Sequence, residues 1–110
     1  MSRELNKKIK SAVDAVVPSK QEFTIYLSPT GFDEMEVVRV ITPAWKSLGK
    51  AERIAKVQDA VLPQLNSNER SKIFRFSVLT PKEWTEFRGH VVDEKPRRIG
   101  FRRKQAVAAR

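Results

Sequence analysis

Leu5, Ile9, Ala12, Val13 and Val16 recur at intervals of one helical turn. That period predicts an amphipathic helix over residues 3–17. Val17-Pro18 ends it, because the residue before a proline is pushed out of the α region. From Glu22 the period changes to two. In QEFTIYL, Phe23, Ile25 and Leu27 alternate with Glu22, Thr24 and Tyr26, as in a half-buried strand. SPTG (28–31) is turn chemistry. EMEVVRVIT is rich in β-branched side chains and predicts a second strand, paired with the first as an antiparallel hairpin.

Thr42-Pro43 then opens a short helix, with Thr as N-cap and Pro at the first position, running to about Leu48. Gly49 breaks it. A second helix carries Ile54, Val57, Val61 and Leu65 on one face, and Pro63 kinks or ends it. NSNERS (66–71) reads as a loop. KIFRFSVLT predicts a third strand, with Phe74, Phe76 and Val78 on one face and Ile73, Arg75 and Ser77 on the other. In TPKEW, Thr80 and Glu83 form a capping box with Pro81 at the first helical position; Trp84 and Phe87 are expected to point to the core and Gly89 to end the helix. After Val92 nothing is periodic. The order α-β-β-α-α-β-α predicts one α+β domain, a three-stranded mixed sheet with its helices segregated to one face. The domain is expected over 1–92, followed by a basic tail over 93–110 that is mobile in isolation.

Composition changes this picture in two ways. The 110 residues contain no cysteine, which excludes disulfides, thiol catalysis and thiolate metal sites and makes a cytoplasmic location the default. The N-terminus lacks an apolar h-region and no apolar run is long enough for a membrane span. The net charge is +9 and it is uneven: residues 94–110 hold seven cations and one anion, whereas residues 1–93 hold fifteen cations and twelve anions. A basic tail on a nearly balanced domain implies a polyanionic partner, nucleic acid first and an anionic membrane surface second.

Three strings in this order resemble the BolA family, whose fold is related to the second type of KH domain. They are VITPAWKS (40–47), RIAKVQDAVLPQL (53–65) and LTPKEW (79–84), and the resemblance covers about residues 4–87. It implies a small non-enzymatic regulator. The family's Arg-His-Arg triplet falls on Arg53, Ile54 and Ala55, so only the first arginine is kept. Members that share an iron–sulfur cluster with a glutaredoxin use a histidine where Lys72 stands, and many have a further ligand in the hairpin loop, here SPTGFDE. An ammonium has no lone pair for a metal, so a cluster role does not carry over, and no cofactor and no metal site are expected. The lone His90 does not make one. The KH-type Gly-x-x-Gly loop is also incomplete: Ser47-Leu48-Gly49-Lys50 has one glycine.

Candidate chemistry is therefore basic. Lys46, Lys50, Arg53 and Lys56 read either as a phosphate-tracking edge on a helix–turn–helix or as a solvated helix face partly offset by Glu52 and Asp59. In the tail, Arg97, Arg98, Arg102, Arg103 and Lys104 suit polyanion binding, with Phe101 placed to stack on a base; the bland reading is a solubilising extension. Ile99 and Phe101 can alternatively dock on the domain and order the tail. Trp45, beside the turn, is the second stacking candidate, although aromatics at strand and helix spacing are usually core. Asp33, Glu34 and Glu36 cluster at the hairpin turn without a partner for a proton shuttle, and neither a phosphate-cradling loop nor a nucleophile elbow is present, so no catalysis is expected. The expectation is nucleic-acid binding. The alternative is a protein-interaction adaptor, including a glutaredoxin partner without its own cluster ligands.

Overall fold

The computed structural model describes residues 3–31, 34–88 and 96–103. Its elements are α1 (Arg3–Val16), β1 (Phe23–Pro29), β2 (Glu36–Ile41), α2 (Lys50–Val61), a 3-10 turn (Leu62–Gln64), α3 (Ser67–Arg70), β3 (Ile73–Leu79), α4 (Pro81–Arg88) and β4 (Arg97–Arg102). The class is α+β, and the mixed sheet has four strands in the order β3-β2-β1-β4. β1 pairs antiparallel with β2, as a short hairpin dictates, and β2 pairs parallel with β3. A parallel pair needs a long crossover; the segment carrying α2 supplies it and lies on the sheet.

The first face of the sheet holds the main core. Leu5, Ile9, Ala12 and Val13 of α1 and Val57 and Val61 of α2 close over Phe23, Ile25 and Leu27 of β1, Val38 and Val40 of β2, and Phe76 and Val78 of β3. The helical and strand periods read from the sequence meet here. Lys8 Nζ adds a 2.9 Å ion pair to Glu69 that ties α1 to α3.

Several expectations are corrected. The helix expected over 43–48 is a pair of turns instead, closed by Lys46 N–H to Pro43 O (3.4 Å) and Leu48 N–H to Trp45 O (3.0 Å). Thr42 serves the turn: its hydroxyl donates to Glu22 O at 2.7 Å and accepts from Ala44 N–H at 3.2 Å. The expected helix–turn–helix is therefore a turn followed by one helix. The expected loop over 66–71 contains α3, capped reciprocally by Asn66 and Glu69 (Glu69 N–H to Asn66 Oδ1, 2.8 Å; Asn66 N–H to Glu69 Oε1, 2.9 Å). A register shift at the start of β3 reverses the expected faces there. Ile73 packs on the main core and Phe74 is 48% exposed, while Phe76 and Val78 keep their predicted burial.

The helices are not confined to one face. Trp84 of α4 packs with Ile41 and Leu79, and with Tyr26 and Phe87 at its margin, on the face opposite α1 and α2. Tyr26 and Trp84 stack at 5.2 Å, and Trp84 and Phe87 at 5.8 Å. Arg39 of β2 is buried there too, its guanidinium 4.4 Å from the Phe87 ring centroid and 3.2 Å from Ser77 Oγ. Coverage of both faces explains why Val37–Ile41 of β2 is buried without interruption. The Thr80–Glu83 capping box that opens α4 is present, with Thr80 N–H donating to Glu83 Oε1 at 2.8 Å and Glu83 N–H to Thr80 Oγ1 at 3.2 Å.

The three-stranded sheet gains a fourth strand from the segment expected to be a mobile tail. β4 runs antiparallel along β1, with Phe101 opposite Thr24, Gly100 opposite Ile25 and Arg98 opposite Tyr26. A bulge between Ile25 and Tyr26 absorbs Ile99, which packs against the main core. Gly100 lies under α1: a Cβ there would come within 2.9 Å of Lys10 Cγ, so the bare backbone allows the helix and the strand to approach. Residues 89–95 and 104–110 fall outside the described residues, and with them Gly89, His90 and Lys104; so does Asp33.

Candidate nucleic-acid interface

The structure sorts the predicted basic and aromatic residues by what each side chain already holds. Arg53 is 5% exposed. Its Nε donates to Trp45 O (3.0 Å) and Leu48 O (3.1 Å), its Nη2 to Lys46 O (3.2 Å) and its Nη1 to Glu83 Oε1 (2.6 Å). One guanidinium thus satisfies the carbonyls of the 43–48 turn and ties α2 to α4. Burial pushes the Glu83 carboxyl up, but the Thr80 N–H and Arg53 outweigh it and hold it below its ordinary value. Arg53 is a scaffold residue, not a solvent-facing grip. Trp45 is likewise withdrawn. It is 8% exposed and part of the main core, with Lys56 Nζ 6.0 Å from its ring centroid.

Arg102 is the third corrected residue. Its guanidinium reaches the carbonyls of Gln21 (3.0 Å), Asp14 (3.2 Å), Val17 (2.9 Å) and Pro18, and the Asp14 carboxylate at 2.7 Å. It also lies 5.0 Å from the Phe23 ring centroid. A helix leaves its last carbonyls without intrahelical donors, and its C-terminus carries partial negative charge. Arg102 answers both at the end of α1, and so clamps β4 to the body of the domain.

Lys46, Lys50 and Lys56 remain exposed, but their surroundings are balanced. The outward face of α2 carries Glu52 and Asp59 alongside Lys50 and Lys56. The N-terminus of α2 is already served by a carboxylate, since Gly49 N–H donates to Glu52 Oε1 at 3.2 Å. Beside the turn, Lys46 and Lys82 share a shallow groove with Glu83 and Glu86. An incoming phosphate there meets carboxylates as well as ammonium groups.

β4 differs. Arg97, Arg98 and Arg103 are exposed. Arg97 stands opposite Leu27, hence on the other face of the strand from Arg98, and lies 3.7 Å from Glu36; Glu22 precedes Phe23, the register partner of Arg102. Phe101 is 42% exposed. The Arg98 guanidinium lies 4.6 Å and that of Arg103 5.9 Å from the Phe101 ring centroid. Register carries the feature across the sheet: Arg98 is opposite Tyr26, whose ring stacks on Trp84, and the Arg88 guanidinium lies 5.5 Å from that indole. Of the two stacking candidates read from the sequence, Phe101 is the one that remains available to a ligand.

Two members of the acidic cluster at the hairpin are paired with cations. Glu34 lies 3.6 Å from Lys72, the residue just before β3, and Glu36 lies near Arg97. Among the described residues no three His, Cys, Asp or Glu side chains are grouped to hold a metal ion, and no helix is long and apolar enough to cross a membrane. Between α1 and α2, Ala12, Ala15, Val16, Ala60 and Pro63 line an open groove rimmed by Lys7, Lys8 and Asp59. No protein-family model, curated protein or solved structure matches the chain.

Proposed function

We propose that the chain is a non-enzymatic nucleic-acid-binding domain whose phosphate contacts come chiefly from Arg97, Arg98 and Arg103 on and beside β4. The observation that carries this reading is the pair of exposed guanidinium groups, Arg98 and Arg103, beside the exposed Phe101 ring, with Arg97 exposed on the other face of the same strand. Arg98 and Arg103 can each fork two N–H donors onto phosphate oxygens, whereas Arg97 shares its donors with the largely buried Glu36 carboxylate. Lys46, Lys50 and Lys56 contribute less, because Glu52, Asp59, Glu83 and Glu86 stand on the same surfaces and offset their field. The resemblance to the BolA family belongs to the same proposal. The β1–β2 hairpin, the α2 crossover and the capped α4 support it; the missing histidines and the added β4 are departures from it.

The test is binding of the full chain to fluorescein-labelled single- and double-stranded oligonucleotides over a salt series. The expected log K falls linearly with log salt. Replacing Arg97, Arg98 and Arg103 by Gln lowers the slope by about 0.7–0.9 for each phosphate that is no longer neutralised. A salt-independent affinity, or none at low salt, refutes the proposal. A protein-adaptor role, glutaredoxin partnership included, is the second reading. The apolar groove between α1 and α2 favours it, and such an interface would bind with little salt dependence.

A further inference from the structure

We infer that the ligand of the β4 surface is single-stranded, with one base stacked on Phe101 and the flanking phosphates held by Arg98 and Arg103. This rests on the nucleic-acid reading and narrows it to one class of strand.

Apolar rings on a sheet are normally buried, yet Phe101 is 42% exposed on a strand whose neighbours are cations. The bulge at Ile25/Tyr26 lets Ile99 and Gly100 serve the α1 side, the first packing on the core and the second lying under Lys10. Phe101 stands opposite Thr24 in the next register position. Its backbone is fixed by the ladder to β1 and by the Arg102 clamp one residue on. The backbone that carries the ring is therefore preorganised, and little backbone entropy is left to lose on binding.

The chemistry around the ring fits one nucleotide. A base offers a π-face to the phenyl ring, and its phosphate offers oxygens to the guanidinium groups at 4.6 and 5.9 Å. Arg98 and Arg103 can turn from ring to phosphate while the base takes the ring face. In a duplex both faces of each base are covered by neighbouring pairs, so the ring finds no partner unless a base is unstacked. Major-groove reading by a helix has little support from α2, whose outward face is charge-balanced and whose Arg53 is buried. One face of the Tyr26 ring is taken by Trp84, stacked at 5.2 Å.

The experiment uses the full chain and a mixed-sequence single strand carrying one 2-aminopurine, with the matching duplex as competitor. Phe101→Ala removes the ring, and Phe101→Tyr keeps it. The variants' thermal unfolding is compared with the wild type to confirm that β4 remains docked. The inference predicts tighter binding of the single strand and a 2-aminopurine fluorescence change on binding. Phe101→Ala should weaken single-strand binding about 5- to 100-fold, as expected for one base–aromatic stack, and leave duplex binding unchanged; Phe101→Tyr should retain wild-type affinity. Equal affinity for both forms, with Phe101→Ala without effect, overturns the inference and leaves the phosphate-binding reading intact. Binding of neither form at low salt overturns both.

Discussion

Arg53 and Arg98 are the same residue type under opposite constraints. Arg53 fills four acceptors out of solvent, so its truncation leaves the turn carbonyls and the partly buried Glu83 without a donor. Arg53→Ala should cost about 2–4 kcal/mol in chemical denaturation. Arg53→Lys should recover little, because one ammonium cannot reproduce the guanidinium fork. Arg98→Ala should leave stability within about 0.5 kcal/mol and act on binding. Arg102→Ala should destabilise by about 1–2 kcal/mol, since its side chain is only partly exposed and its acceptors include the end of α1. The Arg53–Glu83 pair also sets an acid limit. The Glu83 carboxyl sits below its ordinary value of 4.5 in the folded chain. It therefore contributes stability above that pH, and the contribution disappears as the pH falls through the lowered folded value. An acid titration followed by circular dichroism should show a shallower loss of stability below pH 4.5 for Glu83→Gln than for the wild type, from a less stable starting point; identical acid limbs would remove Glu83 from that account.

At the scale of elements, β4 is the feature that local sequence pattern left out of the domain. Its six residues, RRIGFR, have no alternation, since a bulge interrupts the register and Gly100 replaces the side chain that would have marked a buried position. Strand identity here comes from the partner, β1, and from α1 lying across it, neither of which local periodicity encodes. The same tertiary cause explains the face that α4 covers. Its capping box was legible in Thr80–Glu83, but which side of the sheet Trp84 and Phe87 would cover was not. The run of β-branched residues in β2, interrupted only by Arg39, was the available signal that both sheet faces are covered. In α3 the signal was Asn66-x-x-Glu69, a capping box inside a stretch that otherwise read as loop. By contrast, α1, β1 and the Ile54, Val57 and Val61 stripe of α2 were legible because one side is buried and the period is clean. Gly100→Val tests the docking of β4. The added methyl groups must displace Lys10, whose Cγ lies 2.9 Å from the position of a Cβ. Limited trypsin digestion should then cleave after Arg97, Arg98 or Arg102 in the variant faster than in the wild type. An unchanged rate would mean that α1 yields without loosening the strand.

For the whole molecule, the +9 charge is less informative than where the fold leaves it. Charge counting alone made both the turn and the tail candidates. Folding withdraws Arg53 and Arg102 into scaffold contacts, sets Lys50 and Lys56 among carboxylates, and leaves Arg97, Arg98 and Arg103 grouped along an edge strand. All of these residues could be named from the sequence, but scaffold could not be separated from surface, because the separation depends on backbone carbonyls brought together only in three dimensions. Removing the chain after Val92 would be a poor test, since it strips β1 of its ladder partner and uncovers an edge of the core. Charge reversal within the intact fold is cleaner. The decisive measurement compares the affinity of Arg98→Glu/Arg103→Glu with that of Lys46→Glu/Lys50→Glu for one fluorescein-labelled single strand at low and physiological salt. The account predicts at least about a tenfold loss for the β4 pair and no more than about threefold for the turn pair, with the salt slope reduced mainly in the first. A larger loss from the turn pair, with the β4 pair unaffected, would contradict it.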